Sequence, residues 1–332
     1  MKAAYIQSYG KIDDVNMGNQ AQPTISDYEV LVKVHAASIN PLDLRVLKGE
    51  FKAILPVQFP LILGNDFAGV VVKVGVKVTR FKVGDEVYAK TDVHGAFADY
   101  TVVHQSSLAL KPENLSMDQA ASLPLVSLTA WQALVEMAKV KAGDKVLIHA
   151  GSGGVGSIAI QLAKHLGAIV ATTTSTQNIN WVKALGADIV IDYTTTNFAR
   201  KLKEYDVVFD TQGGKTLNQS LPVLKRGGRL ISISGPPDHA FAEQLEVNPL
   251  LKHIVPLISW PIRHKAKKHG IQYSFLFMQP NGQQLSEITQ LFESRAIKPV
   301  IDKSYEFSSI KDALKYVNKG RTKGKVIVTM SL

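Results

Sequence analysis

Cysteine does not occur once in the 332 residues of this chain. Disulfides are therefore excluded, and so is any zinc site built on thiolates. Long apolar runs are missing as well, and no uninterrupted stretch approaches the ~18 residues of a membrane-spanning helix. The opening MKAAYIQSYG has no apolar core of the kind a secretion signal needs, which sets the expectation of a cytoplasmic protein. Acidic residues are the scarcer charge, 28 Asp and Glu against 38 Lys and Arg, for a net charge of +10. Such a surplus attracts phosphates or an anionic surface but commonly serves solubility alone, and no specific nucleic-acid partner is expected from it. Internal repeats and low-complexity tracts are absent too.

What the chain does contain is length enough for two domains, since single cores usually stop growing at roughly 250–300 residues. It also contains one stretch that organises the rest. Lys145 to Gly167, KVLIHAGSGGVGSIAIQLAKHLG, reads as a buried strand (Val146, Leu147, Ile148), a glycine loop and a helix. Gly151, Gly153 and Gly156 fit G-x-G-x-x-G, in which glycine permits a tight turn, close approach of backbone N–H groups to a pyrophosphate, and close helix–strand packing. The helix N-terminus then faces the phosphates with unpaired N–H groups and partial positive charge.

Upstream the pattern is strands and turns. Glu29 to His35 alternates as a strand with one buried face, Ala68 to Val74 and Glu86 to Ala89 follow, and Gly95 to Val103 is a further candidate. Ser116 and Gln119 fit a capping box at a helix start, Pro124 breaks that helix, and Val126 to Ala138 resumes one. From Lys145 onward strands at 169–173, 189–191, 206–210 and 229–234 alternate with helices, one of them Asn178 to Leu185, stopped by Gly186. Alternation of this kind predicts parallel βαβ units and a Rossmann-type doubly wound α/β domain. The last third is less regular. Trp260 to Gly270 is polar and basic, Tyr273 to Met278 is strand-like, and Gln284 to Ser294 resembles an amphipathic helix. Ile297 to Lys303 and Lys325 to Met330 read as strands that return to the first domain.

In dinucleotide folds an acid roughly twenty residues past the glycines binds the ribose 2′-hydroxyl of NAD. Here that place reads Thr172-Thr173-Thr174-Ser175-Thr176, with no carboxylate to repel a 2′-phosphate. NADP(H) is therefore the expected cofactor, although Thr and Ser also simply suit a strand end.

The loop AGSGGVG, the run SLTAWQAL at Ser127 to Leu134, LGAD at Leu185 to Asp188, VIDY at Val190 to Tyr193 and GRTKGKVIV at Gly320 to Val328 together resemble the medium-chain dehydrogenase/reductase superfamily, in its quinone oxidoreductase-like branch. NPLDLR near residue 40, with YSFLFM, GQQL and IKPVIDK near the C-terminus, is similar to the chloroplast-envelope quinone oxidoreductase homologues and their mitochondrial relatives. The resemblance implies a GroES-like β-barrel domain over 1–124, completed by 281–332, and a Rossmann domain over 125–280, with the active site in the cleft. It also implies a homodimer joined through the strand at Tyr273 to Met278.

Zinc-containing members of that superfamily use Cys and His. Here the catalytic Cys position is matched by Asn40 and the Gly-His-Glu motif by Gly64-Asn65-Asp66, so no metal site is expected. Without a Lewis acid, a hydride acceptor must spread its own developing charge, as an enone or a quinone does. The resemblance places Asn40 and Asp43 beside nicotinamide and substrate, and Thr129 near the carboxamide. Gly151, Gly153, Gly154, Val155 and Gly156 are assigned to the pyrophosphate, and Ser175, Lys183, Tyr193 and Arg321 to the 2′-phosphate. Each has a plainer reading: Asn40 as a turn residue before Pro41, Asp43 as a helix cap, Thr129 as a back-bonded helix residue, Tyr193 as packing, Arg321 as a basic turn. Phe51 stands where some enoyl reductases of the superfamily carry a Tyr, so no general acid is identified. The leading expectation is a zinc-independent NADPH reductase of quinones or α,β-unsaturated carbonyls. The alternatives are a non-catalytic NADPH-binding protein with a membrane or RNA partner, and an enoyl-thioester reductase. The basic run at residues 263–269 is read either as a weak contact for an anionic surface or as a solvated face.

Overall fold

A computed structural model describes residues 1–53, 56–244 and 249–330. The chain divides into two compact units, one formed by Met1–Leu128 with Gln279–Leu332 and the other by Thr129–Met278.

Eight strands open the first unit: β1 (Lys2–Ile6), β2 (Asn16–Asn19), β3 (Glu29–Ile39), β4 (Leu61–Ile62), β5 (Asp66–Val74), β6 (Glu86–Lys90), β7 (Tyr100–His104) and β8 (Leu108–Leu110). The second unit contributes β9 (Lys145–Ile148), β10 (Ile169–Thr174), β11 (Ile189–Asp192), β12 (Tyr205–Asp210), β13 (Leu224–Ser232) and β14 (Gln272–Phe275). The chain then returns to the first unit with β15 (Ile301–Glu306) and β16 (Lys325–Thr329).

In the first unit a small sheet runs β2-β1-β4 and a large one runs β15-β16-β3-β5-β6-β8, with β7 pairing on β3. β3 is the longest strand and stays buried along most of its length, because Val30, Val32 and Val34 face one core with Phe67, Val87, Leu108, Val326 and Val328. Burying each such side chain is worth about 1.5–3 kcal/mol. β16, expected from sequence to return, lies between β15 and β3 and pairs Val326 with Ile39 and Ile327 with Ser38.

The second unit is a six-stranded parallel sheet in the order β11-β10-β9-β12-β13-β14. This is the doubly wound arrangement, with β9 and its glycine loop at the point where the strand order reverses. Its core gathers Leu147, Ala171, Val208 and Leu230.

Four elements differ from the sequence reading. The strand expected from Gly95 is confined to β7, because Gly95 has φ 113° and the backbone before Tyr100 makes only a single bridge, Ala98 to Ala3. The strand expected at Ile297 begins at Ile301, beyond Pro299, which has no N–H for a ladder. Pro124 starts the helix Pro124–Trp131 as well as ending the one before, and the next turns, Gln132–Met137, are π-helical, with Ala138 N donating to Ala133 O (2.9 Å). Trp260–Lys268 is a helix with Pro261 in its first turn, ended before Gly270 at φ 70°.

Candidate active site

In the first unit, Asn40 leaves β3 in extended conformation and Pro41, with its fixed φ, opens the helix Pro41–Leu47. Asp43 closes that helix start: its Oδ2 accepts from Asn40 N (2.7 Å), the capping role that its position suggested. The Asn40 side chain is used elsewhere. Its Nδ2 donates to Asp66 Oδ2 (2.9 Å), and its Oδ1 accepts from the Lys325 ammonium.

Cross-strand register explains why these groups meet. Ser38 lies opposite Asp66, which lies opposite Lys90, so the three side chains share one face of the sheet. Lys325, two residues before the Ile327 that faces Ser38, joins them. Asp66 is fully buried and accepts at Oδ2 from Ser38 Oγ (3.1 Å) and Lys325 Nζ (3.2 Å), and at Oδ1 from Leu125 N (2.9 Å). Asn65 Nδ2 donates to Asp43 Oδ1 (2.6 Å). Burial pushes the Asp43 carboxyl up to about 7, against the opposing pull of Asn40 N–H, the Asn65 amide and Lys325. Burial also lowers Lys325 and Lys90 from the usual lysine range, with Asp66 and Asp43 acting to raise both.

A divalent metal does not fit this donor set. An ammonium already binds Asn40 and Asp66, and the two asparagines offer carboxamides where zinc takes thiolate or imidazole. Sequence reasoning singled out Asn40 and Asp43 but not Lys325, Asn65, Asp66 or Lys90 as members of one constellation. Asn65 and Asp66 were marked only as the place of the Gly-His-Glu motif, and for the lysines the signal was charge beside apolar strand residues, as in Lys325 before Val326, Ile327 and Val328.

In the second unit, Gly153 caps the helix Gly154–His165, whose first turn carries no acid. Gly154 and Val155 are half-buried at that helix start, and Gly151 and Gly156 are buried beneath it. A Cβ on Gly156 would lie 2.8 Å from Gly151 Cα and closer still to Ala150 O, whereas one on Gly153 would meet Ala150 O at an ordinary 3.4 Å. The loop thus has one glycine demanded by packing and another that leaves backbone open to a phosphate. This cradle fits a dinucleotide pyrophosphate.

At the ends of β10 and β11, Tyr193 N donates to Thr174 O (3.1 Å), which brings Ser175 and Tyr193 side by side. Ser175 accepts from Asn178 Nδ2 (3.1 Å), Tyr193 is 62% exposed, and Lys183 is exposed on the following helix, Ile179–Ala184. Asp192, at the same edge, accepts from Thr176 Oγ1 (2.6 Å) and Thr194 Oγ1 (2.7 Å), and these hydrogen bonds hold its carboxyl below the usual range. Thr129 is buried in the helix Pro124–Trp131. Arg321 is exposed on a turn of the first unit, after Gly320 at φ 67°. The basic run lies on the helix Trp260–Lys268, where His264 stacks on an exposed Trp260 at 5.0 Å.

Residues 26–113 match a family model described as the alcohol dehydrogenase GroES-like domain, and residues 185–328 match one described as zinc-binding dehydrogenase. The chain is 36% identical to the 2-methylene-furan-3-one reductase of Solanum lycopersicum, covering 99% of this chain and 79% of that protein. It is also 36% identical to the chloroplastic NADPH-dependent alkenal/one oxidoreductase of Arabidopsis thaliana, with the same 99% and 79% coverage. Among solved structures, the quinone oxidoreductase from Coxiella burnetii is similar at a TM-score of 0.86 and 31% identity, over 100% of this chain and 99% of that one.

Proposed function

Because the chain belongs to the medium-chain dehydrogenase/reductase superfamily, in its zinc-independent quinone oxidoreductase-like branch, we propose that it reduces enones or quinones with NADPH. The observation that carries this reading is the replacement of a metal site by a buried polar constellation of Asn40, Asp43, Asn65, Asp66 and Lys325, in a chain that also has an acid-free nucleotide strand end. When bound, NADPH supplies the hydride. The backbone at the start of the Gly154–His165 helix holds the pyrophosphate, and Ser175, Lys183 and Tyr193 hold the 2′-phosphate. Buried hydrogen-bond donors suffice for the acceptor, because conjugation carries the developing charge to an oxygen they can reach. Purified protein is expected to oxidise NADPH in the presence of a short enone or a benzoquinone, undiminished by chelator and at least tenfold slower with NADH. Absorbance at the NADPH band reads this directly, and a protein that binds NADPH yet turns over neither acceptor would remove the proposal.

β14 bonds only to β13, so its other edge is open among the described residues to a second copy, which supports a homodimer. Exposed Leu257, Ile258 and Trp260 beside Lys265, Lys267 and Lys268 support contact with an anionic bilayer. Sedimentation tests both readings. Twice the monomer mass is expected in buffer, and phosphatidylglycerol vesicles should pellet the wild type at low salt but not Lys265→Glu/Lys268→Glu. A monomer, or equal pelleting of the two proteins, would discard the respective reading.

A further inference from the structure

Two polar atoms beside the constellation have no partner. Asn65 and Thr91 are fully buried, and they adjoin, Thr91 N donating to Asn65 O at 2.7 Å. Asn65 Oδ1 and Thr91 Oγ1 nevertheless make no hydrogen bond among the described residues. A buried polar group left unmet is costly, so two adjoining ones point to a ligand that meets them. The other end of the Asn65 amide is not free, since its Nδ2 is held by Asp43 Oδ1.

We propose that Thr91 and Asn65 meet the oxygen of the enone or quinone, and that the proton on Asp43 decides which end of the Asn65 carboxamide is turned toward it. This rests on the reductase reading above. Hydride addition moves the electron pair of the conjugated system onto that oxygen, which then needs donors. Thr91 Oγ1 can donate as it stands. Asn65 cannot while Asp43 is ionised, because both carboxylate oxygens then accept N–H groups, from Asn40 and from Asn65, and leave Asn65 Oδ1 as the unmet end of the amide. A protonated Asp43 is itself a donor at Oδ1. The carboxamide turned end for end accepts that proton's hydrogen bond and leaves its NH2, a donor, where the unmet oxygen was. Asp43 is suited to hold the proton, because burial brings its pKa to about 7. The charged groups facing it are Asp66 on β5, Lys325 on β16 and Lys90 on β6. The helix Ile310–Asn318, packed on the Asp43 helix, meets it at Lys48 through Asn318, and no ionised group of that helix acts on Asp43 among the described residues.

The test is the pH profile of kcat/KM for one reactive enone at saturating NADPH, from pH 5.5 to 8.5. Wild type should lose activity about tenfold per pH unit above a midpoint near 7. In Asp43→Asn, position 43 always offers an N–H to Asn65, so that limb should vanish. Thr91→Val, which removes the hydroxyl and keeps the shape, should lower kcat/KM about 10- to 100-fold, leave the Kd for NADPH unchanged and retain the limb. Should Asp43→Asn fail to fold, Asn65→Ala is expected to abolish the same limb. A limb that survives in the folded variant at 43 or 65, or a Thr91→Val enzyme within twofold of wild type, overturns the inference and leaves the reductase reading standing. A wild type that turns over neither acceptor removes that reading, and this inference with it.

Discussion

Lys325→Met is expected to destabilise the first unit by about 3–5 kcal/mol, the usual cost of stripping one partner from a buried ion pair. The mutation is close to isosteric, so lost volume is not the cause. Asp66 would remain fully buried with its Ser38, Asn40 and Leu125 hydrogen bonds but without its ion-paired ammonium, Lys90 acting on it only through space, and Asn40 Oδ1 and Ile39 O would lose their donor. Adding Asp66→Asn removes the stranded charge while keeping a carbonyl oxygen as acceptor. The double variant should therefore recover at least half of the loss. Urea midpoints at constant slope measure both numbers. A single variant within about 0.5 kcal/mol of wild type would mean that Lys325 does not neutralise Asp66, and the proposed constellation would lose its centre.

The second large effect separates the two roles of the glycine loop. Gly156→Ala should destabilise the second unit and reduce NADPH affinity by at least ~100-fold, because the new methyl is pressed between Ala150 and Gly151, which are backbone and cannot turn aside. Gly153→Ala meets nothing closer than 3.4 Å, so its thermal midpoint should hardly move. Its NADPH affinity should still fall about tenfold, since the methyl takes the space through which a phosphate approaches the helix start. Fluorescence titration with NADPH, beside a melting curve for each protein, distinguishes these outcomes. If Gly153→Ala bound NADPH like wild type, the cradle would lie elsewhere than in this turn.

The middle of the fold was legible because its rules are local. Val146 to Ile148, the glycines and the alternation that follows gave the sheet of the second unit, and Ser116 with Gln119 formed the capping box their spacing called for. Gly186, at φ 108°, follows the helix it was expected to stop. The candidate site was only half legible. Asn40 and Asp43 stand together in NPLDLR, but their partners come from 22 to 285 residues away, through pairings that no local pattern encodes. A lysine at a strand start reads as a surface residue until the opposite strand is known. Trp260–Lys268 eluded the reading for another reason: its face to the protein is narrow, with Ile262 and Ala266 buried, and the many charges around it obscure the helical period.

β16 lies inside the large sheet of the first unit and bonds to β3, which the ribosome makes 286 residues earlier, counting from Ile39 to Lys325. During synthesis the second unit emerges whole and can fold on its own contacts. The first must wait with β3 unpaired along the edge that β16 will occupy, and with Asp66 lacking its cation. Chain elongation at about 5–20 residues per second makes that wait tens of seconds. For this interval the exposed β3 edge is the segment most open to pairing with a neighbouring nascent chain, so aggregation during expression should follow the rate at which the last strand is delivered rather than the stability of the finished protein.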